Sequence, residues 1–140
     1  MTIGRIAYQG DYKYQLQETY YVLLPQLKDY RFDADYVSVG DYGMLMVKNK
    51  YAWDGPSGPV LDTKENMRAS LVHDALYQLM RLEWLPTSFR KTADEIFRDI
   101  CVEDGVTRWR AWTWYYGLRI GGGTAADPQH KKVTVYAPKL

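Results

Sequence analysis

Residues 62–81, DTKENMRASLVHDALYQLMR, decide the fold class. Asp62 followed three residues later by Glu65 has the form of a capping box. The apolar residues Met67, Leu71, Val72, Leu76, Leu79 and Met80 then recur at steps of three and four, which predicts a helix running to about Arg81. Upstream the period changes to two. Tyr12, Tyr14 and Leu16 alternate with Lys13, Gln15 and Gln17, and Tyr20 to Leu24 continues the β-prone run up to Pro25. Arg31 to Val39 and Gly43 to Lys50 read as two further strands, joined in a hairpin by the turn residues Gly40 to Gly43. Strands first and helices afterwards make the chain α+β, with an N-terminal antiparallel sheet packed against C-terminal helices.

Downstream there are two more helices. Pro86 with Thr87 or Ser88 opens one whose buried stripe is Phe89, Ala93, Ile96, Phe97, Ile100 and Cys101, and Gly105 stops it in the left-handed conformation. Another runs from about Thr107 to Ile120, rich in tryptophan and tyrosine, and halts at Gly121, Gly122 and Gly123. Lys132 to Ala137 has the alternation of a short strand. The 140 residues therefore read as a single domain: sheet-rich over 1–50, a site loop over 51–61, helices over 62–120 and a tail over 121–140.

Composition narrows the chemistry. Two histidines and one cysteine cannot make a Cys/His zinc site, so any metal must be held mostly by oxygen. No apolar run reaches the ~18 residues of a membrane helix, and the first ten residues lack the pattern of a signal peptide. An intracellular location is expected. Charge is uneven: Tyr51 to Asp104 carries six basic and ten acidic residues, whereas Gly105 to Leu140 carries six basic residues against Asp127 alone. The acidic third is where a hard cation could be held.

The candidate site is built from polar residues that interrupt the helical stripes. His73 and Tyr77 are four apart and share a face, while Asp74 points to an adjoining surface. Asp94 lies three residues before the core position Phe97 and, so close to the buried face, needs partners. If the two helices pack antiparallel, Asp94 accepts hydrogen bonds from His73 and Tyr77 and fixes the imidazole as a general base. Asp74 can then offer oxygens to a cation whose other ligands come from the loop 51–59, YAWDGPSGP, where Gly55 and Gly58 allow close backbone approach. Asp54 either shapes this loop or adds a ligand.

Other readings compete for the same residues. Ser57, His73 and Asp94 could form a nucleophilic triad, but Ser57 between Pro56 and Gly58 lacks the strand-to-helix elbow. A metal phosphohydrolase of the HD type needs more histidines than His130 supplies. The arginines and tryptophans from Arg108 to Arg119 fit a single-stranded nucleic acid platform, a membrane-surface face, or an amphipathic helix packed on the sheet with its arginines reaching out to water. The last of these makes nucleic acid the least favoured partner.

The HDxxY run of His73, Asp74 and Tyr77, with the ADxxF run of Ala93, Asp94 and Phe97 about twenty residues on, resembles the catalytic core of phospholipase A2. The similarity is greatest to the disulfide-free form of parvovirus capsid proteins. It implies a general base at His73, a calcium ligand at Asp74, a supporting carboxylate at Asp94 and a lipid ester as substrate. The loop Tyr51 to Pro59 departs from that family's calcium loop in detail. A second resemblance, from about Tyr12 to Gly123, is to a family of small uncharacterised proteins of phages and prophages. It carries the HDxxY and ADxxF helices, the Gly105-Val106 turn and the motif of Arg119, Gly121 and Gly122. It implies phage origin, in the host cytoplasm or the virion. Two functions are thus expected: a calcium-assisted lipid-ester hydrolase, or a non-catalytic virion or assembly protein that binds other virion proteins and keeps the cluster as a structural lock.

Overall fold

The computed structural model describes residues 4, 6–10, 14–53 and 64–121. They fall into two compact units, one on either side of the segment 54–63. The first holds the strands. Strands β1 (Tyr8–Gly10), β2 (Tyr14–Leu16) and β7 (Ala52–Trp53) form one antiparallel sheet in the order β1-β2-β7. Strands β3 (Tyr20–Leu23), β4 (Phe32–Asp33), β5 (Val37–Val39) and β6 (Met44–Val47) form another in the order β3-β6-β5-β4.

The four-stranded sheet shows why its register is unique. Tyr20 pairs with Val47 and Val22 with Leu45, while Val37 and Val39 pair with the same two residues from the other side. All six are buried, so a slip of one residue would turn this whole apolar face outward. The expected β5–β6 hairpin is present. Its turn depends on Gly43, which has a φ of +82° and whose carbonyl accepts a hydrogen bond from Leu24 N–H at 2.9 Å; a Cβ there would lie 2.1 Å from the Leu24 carbonyl oxygen. The single strand expected over Arg31 to Val39 is instead two, because a two-residue turn at Asp35 and Tyr36 folds it back, with Ala34 N–H donating to the Val37 carbonyl. Ala52 and Trp53, expected in the loop, are strand residues. They pair with Gln15 and Tyr14, and Trp53 joins an aromatic cluster with Tyr8 and Tyr14, ring centroids 5.4 to 6.0 Å apart.

The second unit is helical: α1 (Met67–Arg81), α2 (Arg90–Glu103) and α3 (Arg108–Gly121), with α2 packed on both α1 and α3. The expected apolar stripes of α1 and α2 are all buried. Alone among the fifteen residues of α1, Asp74 is only half-buried and the rest are buried, so α1 is covered all round and not on one stripe. Helix α2 ends as expected. Gly105 adopts a φ of +106°, Val106 N–H bonds the Cys101 carbonyl and Gly105 N–H that of Val102, which closes a Schellman motif. Burial of the Cys101 thiol, with Asp104 adding its charge, pushes its pKa up to about 12. The expected strand Lys132 to Ala137 and the glycines Gly122 and Gly123 lie outside the described residues.

An ion cluster ties the start of α1 to the end of α2. Arg68, 3% exposed, donates Nε and Nη2 to the two oxygens of Asp104, each at 2.9 Å, and Nη2 also reaches Glu103 at 2.6 Å. Such a two-pronged charged pair holds orientation as well as distance. Arg68→Ala is expected to destabilise the protein by about 2 kcal/mol in urea unfolding, and Glu103→Gln, whose carboxylate is solvated, by much less.

Candidate functional site

The antiparallel packing of α1 against α2 brings the expected residues together. His73 and Tyr77, one turn apart on α1, both face Asp94 on α2. His73 Nε2 lies 2.7 Å from Asp94 Oδ1, and the Tyr77 hydroxyl donates to the same oxygen at 2.6 Å. Asp94 is 0% exposed. The imidazole is held on two further sides, by the Tyr77 ring at 4.2 Å between centroids and by the edge of Phe97 at 5.4 Å.

Two arginines complete the cluster. Arg119 of α3 donates Nη1 to Asp94 Oδ2 at 3.0 Å. Its head therefore does not run out to water, as an amphipathic reading of α3 expects, because the buried carboxylate offers a stronger partner. Arg90, one turn before Asp94, places Nε 3.9 Å from Oδ2 and gives Nη2 to the carbonyls of Leu118 and Arg119 at 2.9 and 2.6 Å. A cation on the last carbonyls of α3 satisfies acceptors that have no partner within the helix and complements its dipole. Arg90 could have been suspected from its i, i+4 relation to Asp94. Arg119 stands out in the sequence only through its motif with Gly121 and Gly122, and nothing local ties it to Asp94, 25 residues away on another helix.

Electrostatics set the protonation states. Burial alone would raise the Asp94 pKa, but hydrogen bonds from His73 and Tyr77, the His73 charge and the bond from Arg119 outweigh it and hold the carboxyl below its ordinary value. Burial, reinforced by the neighbouring carboxylate, raises Tyr77 well above the usual phenol range, so it remains a donor. An ionised Asp94 accepts from Nε2–H of His73, and in the neutral form of the imidazole that bond puts the lone pair on Nδ1. Among the described residues no group bonds Nδ1. The His73 side chain as a whole keeps 11% of its surface exposed, and Arg90 Nε is enclosed without a hydrogen-bond partner among the described residues.

Asp74 is half-buried and adjoins His73 in α1. Among the described residues no group of three or more His, Cys, Asp or Glu side chains comes together to hold a metal ion. Asp54, Gly55, Ser57 and Gly58, which the sequence suggests as ligands or nucleophile, lie outside the described residues, as does His130. No described helix is long and apolar enough to cross a membrane.

Fold and cluster together define an α+β protein whose helical unit is organised around one buried carboxylate and the histidine it orients. The chain belongs to the family described as Protein of unknown function (DUF1353), which matches residues 9–118. No curated protein and no solved structure matches it.

Proposed function

We propose that this protein is a hydrolase in which His73 is the general base and Asp94 its orienting carboxylate, acting on a lipid ester. The observation that carries this reading is the asymmetry of the imidazole: Nε2 is committed to Asp94, and no described residue bonds Nδ1. A water hydrogen-bonded to Nδ1 loses its proton there as its oxygen attacks the ester carbonyl. The imidazolium so formed is stabilised by Asp94 and returns the proton to the leaving alkoxide. The resemblance to phospholipase A2 supplies the substrate class, and assigns to Asp74 a calcium ion that would need further oxygens from outside the described residues.

Hydrolysis of phosphatidylcholine and phosphatidylglycerol vesicles by the full chain, titrated with calcium, tests both parts. Activity that rises with calcium and requires more of it in an Asp74→Asn variant with an unchanged melting curve supports them. Activity indifferent to calcium and to Asp74→Asn removes the metal and keeps the base.

One observation favours a second reading. Asp94 is wholly buried and gathers donors from α1 and α3 while lying on α2, as a lock for the helical unit would. In that case the protein is a non-catalytic assembly component of a phage particle. Absence of hydrolysis on every ester tried, with stability strongly dependent on the cluster, is its expected signature.

A further inference from the structure

Helix α3 is apolar on two opposite sides. Ala111, Trp114, Tyr115 and Leu118 form its buried side. Trp109, Trp112, Tyr116 and Ile120 recur at steps of three and four on the other, within about 80° of the helix circumference and along about 16 Å of its length. All four are exposed, Trp109 by 78% and Ile120 by 88%. A helix with one side already in the core has no need of a second apolar stripe for folding, and large aromatics left in water mark a surface that meets something.

Charge identifies the kind of partner. Helix α3 carries three arginines and no acidic residue. By helical geometry Arg108 and Arg110 flank the stripe on either side, and neither joins an ion pair among the described residues. On α2, Arg98 lies over Trp112 with its guanidinium 4.1 Å from the ring centroid, and its own neighbour Asp99 is bonded to it. At the end of α2 the carboxylates Glu103 and Asp104 are taken up by Arg68. A second copy of this face would set arginine against arginine. A single-stranded nucleic acid would use the rings for stacking, but Ile120, the most exposed member, has no ring to offer. An anionic bilayer uses all of it: tryptophan and tyrosine at the headgroup boundary, an aliphatic side chain just below, and flanking arginines on the lipid phosphates.

We infer that the outer face of α3 docks on a negatively charged lipid surface, with Trp109, Trp112, Tyr116 and Ile120 entering the headgroup region and Arg108 and Arg110 contacting phosphate. This binding stands independently of the hydrolytic reading. The test uses the full chain with vesicles of non-hydrolysable ether lipids, so that binding is read without turnover: one set with phosphatidylglycerol-type headgroups, one with phosphatidylcholine-type headgroups only. Co-sedimentation is expected to be at least about tenfold stronger on the anionic set, with a blue shift of tryptophan emission. The double variant Trp109→Ser/Ile120→Ser, both residues exposed, is expected to keep the wild-type circular dichroism and melting curve and lose the shift and at least about tenfold in binding. Arg108→Gln/Arg110→Gln is expected to remove the preference for anionic vesicles. No binding to either set, or binding undiminished in the Trp109/Ile120 variant, overturns the inference. So does capture of a single-stranded oligonucleotide by the same face in place of vesicles.

Discussion

Asp94→Ala is expected to destabilise the protein by about 3 to 5 kcal/mol at neutral pH, the range for removing one partner of a buried charged cluster. The magnitude follows from what is left behind. His73 Nε2–H and the Tyr77 hydroxyl lose their acceptor in the interior, Arg119 loses its counter-ion, and Arg90 Nε faces a cavity. A count restricted to the histidine and tyrosine donors would give only about 1 to 3 kcal/mol; the third helix makes the difference.

The same residue sets the acid limit. Asp94 has a folded-state pKa below its ordinary value, so folding favours the ionised form. Its stabilising effect is complete above the unfolded carboxylate range near about 4 and is lost as pH falls from there through the lower folded value. The stability gap between wild type and Asp94→Ala is therefore widest at pH 6 to 8 and closes below about pH 4. Urea unfolding at a series of pH values measures it. A gap that stays constant down to strong acid would mean that Asp94 acts by packing and not by charge.

On the proposed hydrolytic reading, His73→Gln is expected to lower the rate of ester hydrolysis by about 10²- to 10⁴-fold, the usual contribution of a positioned general base, while the melting temperature changes little. Glutamine is chosen for its geometry. Its amide nitrogen can take the place of Nε2 and keep donating to Asp94, so the lock persists and the lone pair at Nδ1 does not. Loss of activity with a preserved melting curve separates base from lock. A variant as active as the wild type would dismiss His73 from the chemistry, and with it the hydrolytic reading.

Much of this site is legible in the sequence because its geometry is local. The i, i+4 relation of His73 and Tyr77 puts them on one face of any helix, and the position of Asp94 next to the core residue Phe97 demands partners for a carboxylate near the interior. Antiparallel packing of consecutive helices, the usual arrangement for a short connection, then brings the three together. Arg90 and Arg119 escape this logic. Arginine on a helix surface is ordinarily solvated, and only the approach of α3 to α2 puts Asp94 within reach of Arg119.

By itself the sequence determined the order of strands before helices, the buried stripes of α1 and α2, the glycine stop at Gly105 and the facing of His73 and Tyr77 on Asp94. Each follows from a period of two or of three to four residues, or from a backbone conformation that glycine alone adopts cheaply, and those are properties of adjacent residues. Only the tertiary structure decided that the strands divide into two sheets, that Ala52 and Trp53 leave the loop to pair with β2, that Arg119 turns inward, and that α3 keeps an apolar face outside the core. These depend on which distant segments meet. A two-residue strand has too short a pattern to read, and the direction an arginine takes is set by the one buried carboxylate it can reach.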